Sequence, residues 1–359
     1  MKYNHVCLES FGYTIPQEIW TSDDVEEKLS PLYERLRLPS GRLELMTGIR
    51  ERRFWAPGTP PSELSVISCK NALEAASFSV TRVGSLIHGS VCRDFLEPAT
   101  ACKVHHQVGL PQQAMIFDLS NACLGILSGM SQAANMIELG QIKAALVVGS
   151  EGGRQLVENT INTLNQDATL TRKTIKQAIA SLTIGSASCA VLLTHDSISQ
   201  TGNRLVAAAV NANTQWHDLC QSDQDQAGPY MAPLMSTDSE ELLKRGVETG
   251  VATLGDFFEA SGWTADTIDR TICHQVGIAH QKLMLQSFGF DPVNDFVTFD
   301  TLGNTGAAAL PVSMAMACEQ NFVQPGHKVA MLGIGSGINS MMMAVEWNQT
   351  LVKGTTYGE

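Results

Sequence analysis

Ala114-Met-Ile-Phe-Asp-Leu-Ser-Asn-Ala-Cys123 is the stretch on which the fold is read. A short apolar run, Met115 to Phe117, ends at Asp118 and a polar turn, Ser120-Asn121. A run rich in small residues then extends from Leu124 to Leu139 and stops at Gly140. This is the pattern of a buried strand, a sharp turn, a helix and a glycine stop. Lys143-Ala-Ala-Leu-Val-Val-Gly-Ser150 follows as a second apolar strand. The same succession returns later: Phe296-Val-Thr-Phe-Asp-Thr-Leu-Gly-Asn-Thr305, a helical run from Gly306 to Cys318, Pro325-Gly326, and the strand Lys328-Val-Ala-Met-Leu-Gly-Ile-Gly-Ser336. The spacing from Asp118 to Asp300 and that from Lys143 to Lys328 differ by only three residues. Such a repeat predicts a duplicated α/β unit, with an N-terminal half over 1–200 and a C-terminal half over 201–359.

The strands are apolar throughout rather than alternating, as expected when helices cover both faces of a sheet. Ala, Gly, Ser and Met dominate the helices beside them, which predicts close packing deep in the molecule. Other elements read outward from this core: a helix over 63–76 opened by Pro60 and Pro61, a strand over 83–87, and a helix over 94–108 stopped by Gly109. A further strand covers 184–194. The polar stretch 213–245 reads as a surface excursion between the halves, with helices returning over 242–260 and 280–287.

With 359 residues, 44% hydrophobic and 17% charged, the chain has ample material for a large core. A net charge of -12 argues against nucleic acid as a partner. Met1 to Ser10 lacks the hydrophobic run of a secretory signal, and no apolar run is long enough for a membrane span. The nine scattered cysteines are expected as free thiols in a cytoplasmic protein. Cys92, Cys102, His105 and His106 lie close together but match no common zinc spacing, so no metal is expected.

Cys123 falls between strand and helix. A thiol there meets unpaired N–H groups and the positive end of the helix dipole, which favours thiolate and predicts a lowered pKa. The same N–H groups can hold an oxyanion. His274 follows the strand Thr271-Ile-Cys273, and Asn304 occupies the turn of the second repeat, in Gly303-Asn-Thr-Gly306. Both fall at carboxyl ends of strands, where α/β sheets place ligands. Through the repeat, Asn304 and Cys123 hold equivalent turns. An imidazole and an amide together can donate hydrogen bonds to a thioester oxygen and stabilise an enolate. Gly333-Ile-Gly-Ser-Gly337 lacks the spacing of a dinucleotide fingerprint, and no cofactor is expected. Its role is close backbone approach, adding an N–H of Ser336 or Gly337 to an oxyanion hole with Cys123.

On these residues the chain resembles the thiolase superfamily. Thr47-Gly-Ile-Arg-Glu-Arg-Arg53, Cys273-His-Gln275 and Gly303-Asn-Thr-Gly306 are similar to the ketoacyl-acyl-carrier-protein synthase III group within it. The resemblance implies a five-layered αβαβα homodimer acting on acyl-CoA or acyl-carrier-protein thioesters. It makes Cys123 the acyl-carrying nucleophile and puts His274 and Asn304 at the second-substrate site. A finer resemblance rests on Arg93-Asp-Phe-Leu-Glu-Pro-Ala-Thr100, Val104-His-His106 and Ser120-Asn-Ala-Cys-Leu-Gly125. These are similar to the OleA-type thiolases of olefin biosynthesis, which join two acyl-CoA chains head to head. In that family a glutamate of the neighbouring subunit is the proposed base for the α-carbon, and Glu97 matches its position. One departure stands out. The Trp that type III synthases carry six residues before the Gly of Thr-Gly-Ile-Arg is Arg42 here, so no coenzyme A-binding residue is assigned. Arg50, Arg52, Arg53 and Trp55 are the candidates for the entrance.

Three rival readings follow. An ordinary synthase III would condense acyl-CoA with malonyl-acyl-carrier protein and needs no base. A non-catalytic partner subunit of this fold would be expected to have lost Cys123 or His274. A papain-like protease also has the order Cys, His, Asn, but Asn121-Ala-Cys-Leu-Gly125 lacks its signature.

Overall fold

A computed structural model of the protein describes residues 1–222 and 234–358. Ten strands form the main sheet: β1 (Val6–Pro16), β2 (Ser85–Gly89), β3 (Met115–Leu119), β4 (Ala144–Glu151), β5 (Ala187–His195), β6 (Arg204–Ala212), β7 (Arg270–Cys273), β8 (Lys328–Gly335), β9 (Asn339–Glu346) and β10 (Val352–Tyr357). Their order is β7-β8-β9-β6-β1-β5-β4-β2-β3, with β10 parallel to β1. The sheet divides in the middle, because β1 meets β6 through the single pair Cys7 and Arg204.

Each side of that seam repeats one plan. On one side β2 runs parallel to β4, β4 antiparallel to β5, and β5 antiparallel to β1. On the other, β7 is parallel to β8, β8 antiparallel to β9, and β9 antiparallel to β6. The duplication read from the sequence is thus a duplication of topology.

Among the helices of the described residues, those that flank the sheets are α1 (Pro61–Ala75), α2 (Thr100–Val108), α3 (Gly125–Glu138), α4 (Arg154–Gln166), α5 (Lys176–Leu182), α6 (Ser239–Ser261), α7 (Ile278–Phe288) and α8 (Ala309–Glu319). Alternation along the strands sorts the core into layers. Ala145 and Val147 of β4 and Val329 and Met331 of β8 face a central core built on α3 and α8. Leu146 and Val148 face α1 and α2, while Ala330 and Leu332 face α6 and α7. Helix, sheet, helix, sheet, helix is the five-layered αβαβα arrangement that the resemblance implied. The strands are apolar on both faces because both faces are covered.

Three local readings are corrected. The strand expected before Asn304 is reduced to one bridge, between Thr271 and Asp295, and residues Phe299–Leu302 are helical. Side chains take the ladder's place: Gln275 Oε1 accepts the Thr298 and Phe299 N–H groups. The helix expected from Asp94 begins only at Thr100. Pro98 disfavours the preceding turn, and the Asp118 carboxylate caps the later start by accepting from Thr100 and Ala101 N–H. The excursion expected over 213–245 is partly built, with strands Cys220–Ser222 and Met235–Thr237 paired; 223–233 lie outside the described residues. All nine cysteines are free. Among the described residues no helix is long and apolar enough to cross a membrane.

Candidate active site

The turn that carries Cys123 is strained. Ala122 adopts φ +45°, a left-handed conformation costly for a residue with a Cβ. It sends the chain through a tight 3-10 turn over Ala122–Leu124 directly into α3. Side chains hold the turn from both repeats. Asn121 Nδ2 donates to Ser128 Oγ (2.9 Å), and Asn339 Nδ2 donates to Asn121 Oδ1 (3.0 Å). Below it, backbones touch: a Cβ on Gly89 would lie 2.4 Å from the Gly125 carbonyl oxygen. Glycine is required there for α3 to start on top of β2.

Cys123, His274 and Asn304 line one cavity of about 1400 Å³. That exceeds the usual range for small-molecule sites, ~300–1,000 Å³. His274 is buried at the end of β7, its N–H donating to the Leu332 carbonyl (3.0 Å). Burial lowers its pKa to about 3, with His280 as a smaller cause, so the ring is neutral and can donate one N–H. Asn304 is also buried, its N–H bonded to Thr183 O and its carbonyl to Gly185 N–H, each at 2.9 Å. Its Oδ1 accepts from Gly306 N–H (3.0 Å), leaving Nδ2 as the donor. The three residues singled out in the sequence are therefore brought together.

Electrostatics at Cys123 differ from the expectation. Burial, then the charge of Glu151 and the nearby Cys220, push the thiol up to about 12. The residue's own N–H acts in the opposite direction but is outweighed. Desolvation of a thiolate exceeds what a helix start supplies. The resting pair is a thiol and a neutral imidazole.

Gly335 passes close enough that a Cβ there would lie 3.6 Å from Cys123 Cβ and 3.2 Å from Leu124 Cγ. Ser336 lines the cavity, whereas Gly337 is not among its lining residues and abuts the Asn339 amide instead. Of the entrance candidates, only Trp55 lines the cavity. Arg52 is buried beneath it with Nη2 donating to Ser22 Oγ, and Arg53 donates to the Pro16 carbonyl. Cys92 lines the cavity too.

Glu97 lies elsewhere. It is exposed on the loop between β2 and α2, outside the cavity of its own chain. The same loop exposes Val91 (54%) and Phe95 (53%), both at the cavity, and Leu96 (63%); Met115, at the other end of the edge strand β3, is 55% exposed.

Two cavity residues escaped the sequence reading. Glu151 closes β4 and is buried there; a carboxylate ending an apolar strand was the available signal. His280 stands six residues after His274, with a pKa lowered to about 4 by burial and a buried, unpartnered Nδ1.

The class defined by this fold and cavity is that of the thiolase-fold acyltransferases, and known proteins agree at both ends of the chain. The thiolase N-terminal domain model matches residues 45–183, and the 3-oxoacyl-[acyl-carrier-protein] synthase III C-terminal model matches 258–347. Within that class, the chain belongs to the acyl-CoA:acyl-CoA alkyltransferase family. It is 40% identical over 351 residues to the acyl-CoA:acyl-CoA alkyltransferase of Shewanella oneidensis, covering 97% of this chain and 100% of that one. Identity to the Xanthomonas campestris enzyme of the same name is 30% over 347 residues. A crystal structure of Xanthomonas campestris OleA with bound lauric acid and lauroyl-CoA superposes with a TM-score of 0.90, covering 96% of this chain and 100% of that one. Identity to a beta-ketoacyl-[acyl-carrier-protein] synthase III of Alkalilimnicola ehrlichii is 25% over 351 residues.

Proposed function

We propose that the protein joins two acyl-CoA molecules head to head through an acyl group carried on Cys123. In the first half-reaction the Cys123 sulfur, losing its proton, attacks the thioester carbonyl of one acyl-CoA and coenzyme A leaves as the thiol. In the second, Glu97 of a neighbouring copy removes the α-proton of the other acyl-CoA. His274 and the Asn304 amide donate to the enolate oxygen. The enolate carbon attacks the acyl-Cys123 carbonyl, whose developing oxyanion is held by the Cys123 and Ser336 N–H groups. Expulsion of Cys123 sulfur, which regains its proton, leaves a 2-alkyl-3-ketoacyl-CoA.

The observation that carries this reading is that one large cavity gathers Cys123, His274 and Asn304 in a chain of this family. The exposed loop bearing Glu97 and Leu96, together with the open edge of β3, supports a homodimer in which that loop enters the partner's site. The protein is expected to work in the cytoplasm.

The test supplies lauroyl-CoA alone and with malonyl-CoA or malonyl-acyl-carrier protein. One acyl mass is expected on the peptide holding Cys123, with a 2-alkyl-3-ketoacyl-CoA from lauroyl-CoA alone, read as such, as the 2-alkyl-3-ketoacid left when water hydrolyses its thioester and releases coenzyme A, or as the ketone left when that acid decarboxylates. His274→Ala and Asn304→Ala should load acyl yet condense ~10²–10³-fold more slowly, and Glu97→Ala should load and not condense. Product only with a malonyl donor, and a silent Glu97→Ala, would make the chain an ordinary synthase III.

A further inference from the structure

Glu151 is buried in the cavity between groups that the reaction uses. Its Oε1 accepts from the N–H of Val91 (3.0 Å) and of Ala307 (3.2 Å), and its Oε2 from that of Cys92 (3.2 Å). Val91 and Cys92 begin the loop that carries Glu97. Ala307 belongs to the turn Gly306–Ala308, whose first N–H fixes the Asn304 amide. Contact with that turn is tight, since a Cβ on Gly306 would lie 3.1 Å from Glu151 Cγ and 3.2 Å from Oε1. One carboxylate thus spans the two halves of the chain, satisfied by three backbone N–H groups and by the Cys92 side chain.

We propose that Glu151 is a positioning residue for condensation: through the N–H groups of Val91, Cys92 and Ala307 it holds the Asn304 turn in register with Cys123 of its own chain and fixes the root of the loop that carries Glu97 to the partner's site. The inference rests on the condensation reading above. Its charge also acts on the nucleophile, since Glu151 follows burial among the causes that raise the Cys123 pKa. Reach and charge are separable. Glu151→Gln keeps the shape, removes the charge and turns one acceptor into a donor, so at least one N–H loses its partner. Glu151→Asp keeps the charge but is one methylene too short to serve both loops.

Three quantities are measured for each variant: acyl loading of Cys123 from lauroyl-CoA, release of condensed product, and the pH midpoint of iodoacetamide alkylation at Cys123. Both variants are expected to condense about 10–100-fold more slowly, with a smaller loss in loading. Only Glu151→Gln should move the alkylation midpoint, to lower pH. The inference is overturned if both folded variants condense within twofold of the wild type. It is equally overturned if loading and condensation fall together, or if condensation follows the alkylation midpoint so that Glu151→Asp behaves as wild type. Should neither variant fold, amide exchange in the wild-type protein decides: slow exchange at Val91, Cys92 and Ala307 is expected, and fast exchange at all three overturns it. Absence of product from the wild type would overturn the reaction itself, a different outcome from wild-type-like variants.

Discussion

Gly303→Ala is a small change with a calculable consequence for Asn304. Gly303 has φ 68° and ψ −165°, a region open essentially to glycine. An added Cβ would lie 2.6 Å from the Thr183 carbonyl oxygen and 3.1 Å from Arg52 Cβ. That carbonyl is the acceptor for the Asn304 N–H, at 2.9 Å. Both atoms are backbone-anchored, so neither swings aside. Opening the contact to an ordinary separation of 3.4 Å or more requires a shift of at least about 0.8 Å, delivered directly to the Asn304 anchor. Catalytic groups tolerate about 0.5 Å of error, and a 1 Å misplacement costs about 10²-fold. Condensation should therefore fall about 10–100-fold. Loading of Cys123, on the opposite turn, should change far less. Backbone strain of order 1–3 kcal/mol should appear as lost stability in urea. Gly262→Ala is the control: φ is +73°, a Cβ there meets nothing within 4 Å, and the residue lies at the end of α6 away from the cavity. It should lose about 1 kcal/mol and no activity. Acyl-enzyme by intact mass and product by mass spectrometry separate the half-reactions. A folded Gly303→Ala protein that condenses within twofold of wild type refutes the reasoning, as does one that loses loading and condensation alike.

Two other outcomes are expected. His274 and His280 have folded-state pKa values near 3 and 4, below the unfolded value of about 6.5, so their contribution is complete above pH 6.5 and lost as the pH falls toward 4; His280→Gln should flatten the urea-measured slope between pH 6 and 5 by up to about 1.4 kcal/mol per pH unit, and an unchanged slope would place His280 in solvent. Mixing Cys123→Ala with Glu97→Ala protomers should recover about a quarter of wild-type condensation after subunit exchange, because half the dimers then hold one complete site; no recovery, with exchange confirmed by sedimentation of tagged chains, would remove the neighbouring copy from the reaction.

Much of this was legible because apolar strands and small-residue helices repeat. Leu146 to Ser150 and Val329 to Gly335 are buried on both faces, and that alone dictates an α/β core with covered sheets. Asn304 and Cys123 were placed by the same repeat. What escaped the sequence was set by side chains from afar. Gln275 replaces the ladder that Phe296 to Thr298 would have made, and Asp118 caps α2 from a neighbouring strand. Neither partner is local, so no window of sequence contains the reason. The Cys123 thiol departs from the expected lowered pKa for a related cause: a helix start is a local feature, whereas the burial that overrides it belongs to the whole fold.

For the proposed reaction, the cavity's own ionisable groups leave the base to come from outside the cavity. His274 and His280 are neutral with depressed pKa values, which makes them hydrogen-bond donors and feeble bases. Glu151 has both oxygens taken by backbone N–H groups. Asp94 accepts from Ser62 N–H (2.9 Å), Ser62 Oγ (2.6 Å) and Lys103 (3.3 Å). Asp238 caps α6, and Glu240 pairs with Lys176 at the exposed rim. Among the described residues, then, the carboxylates of the cavity are committed to holding structure. Malonyl decarboxylation would tolerate that, because loss of carbon dioxide makes the carbanion. Removal of a proton from a plain acyl thioester does not. Glu97, the base proposed above, stands on the exposed loop with Phe95 and Leu96. A charge placed in that loop at Leu96, as in Leu96→Glu, should yield a monomer that contains Cys123, His274, Asn304 and Glu151 and still cannot finish the reaction. Such a protein should accumulate the Cys123 acyl-enzyme from lauroyl-CoA and release no condensed product; a sedimenting monomer that turns over would show that one chain carries its own base.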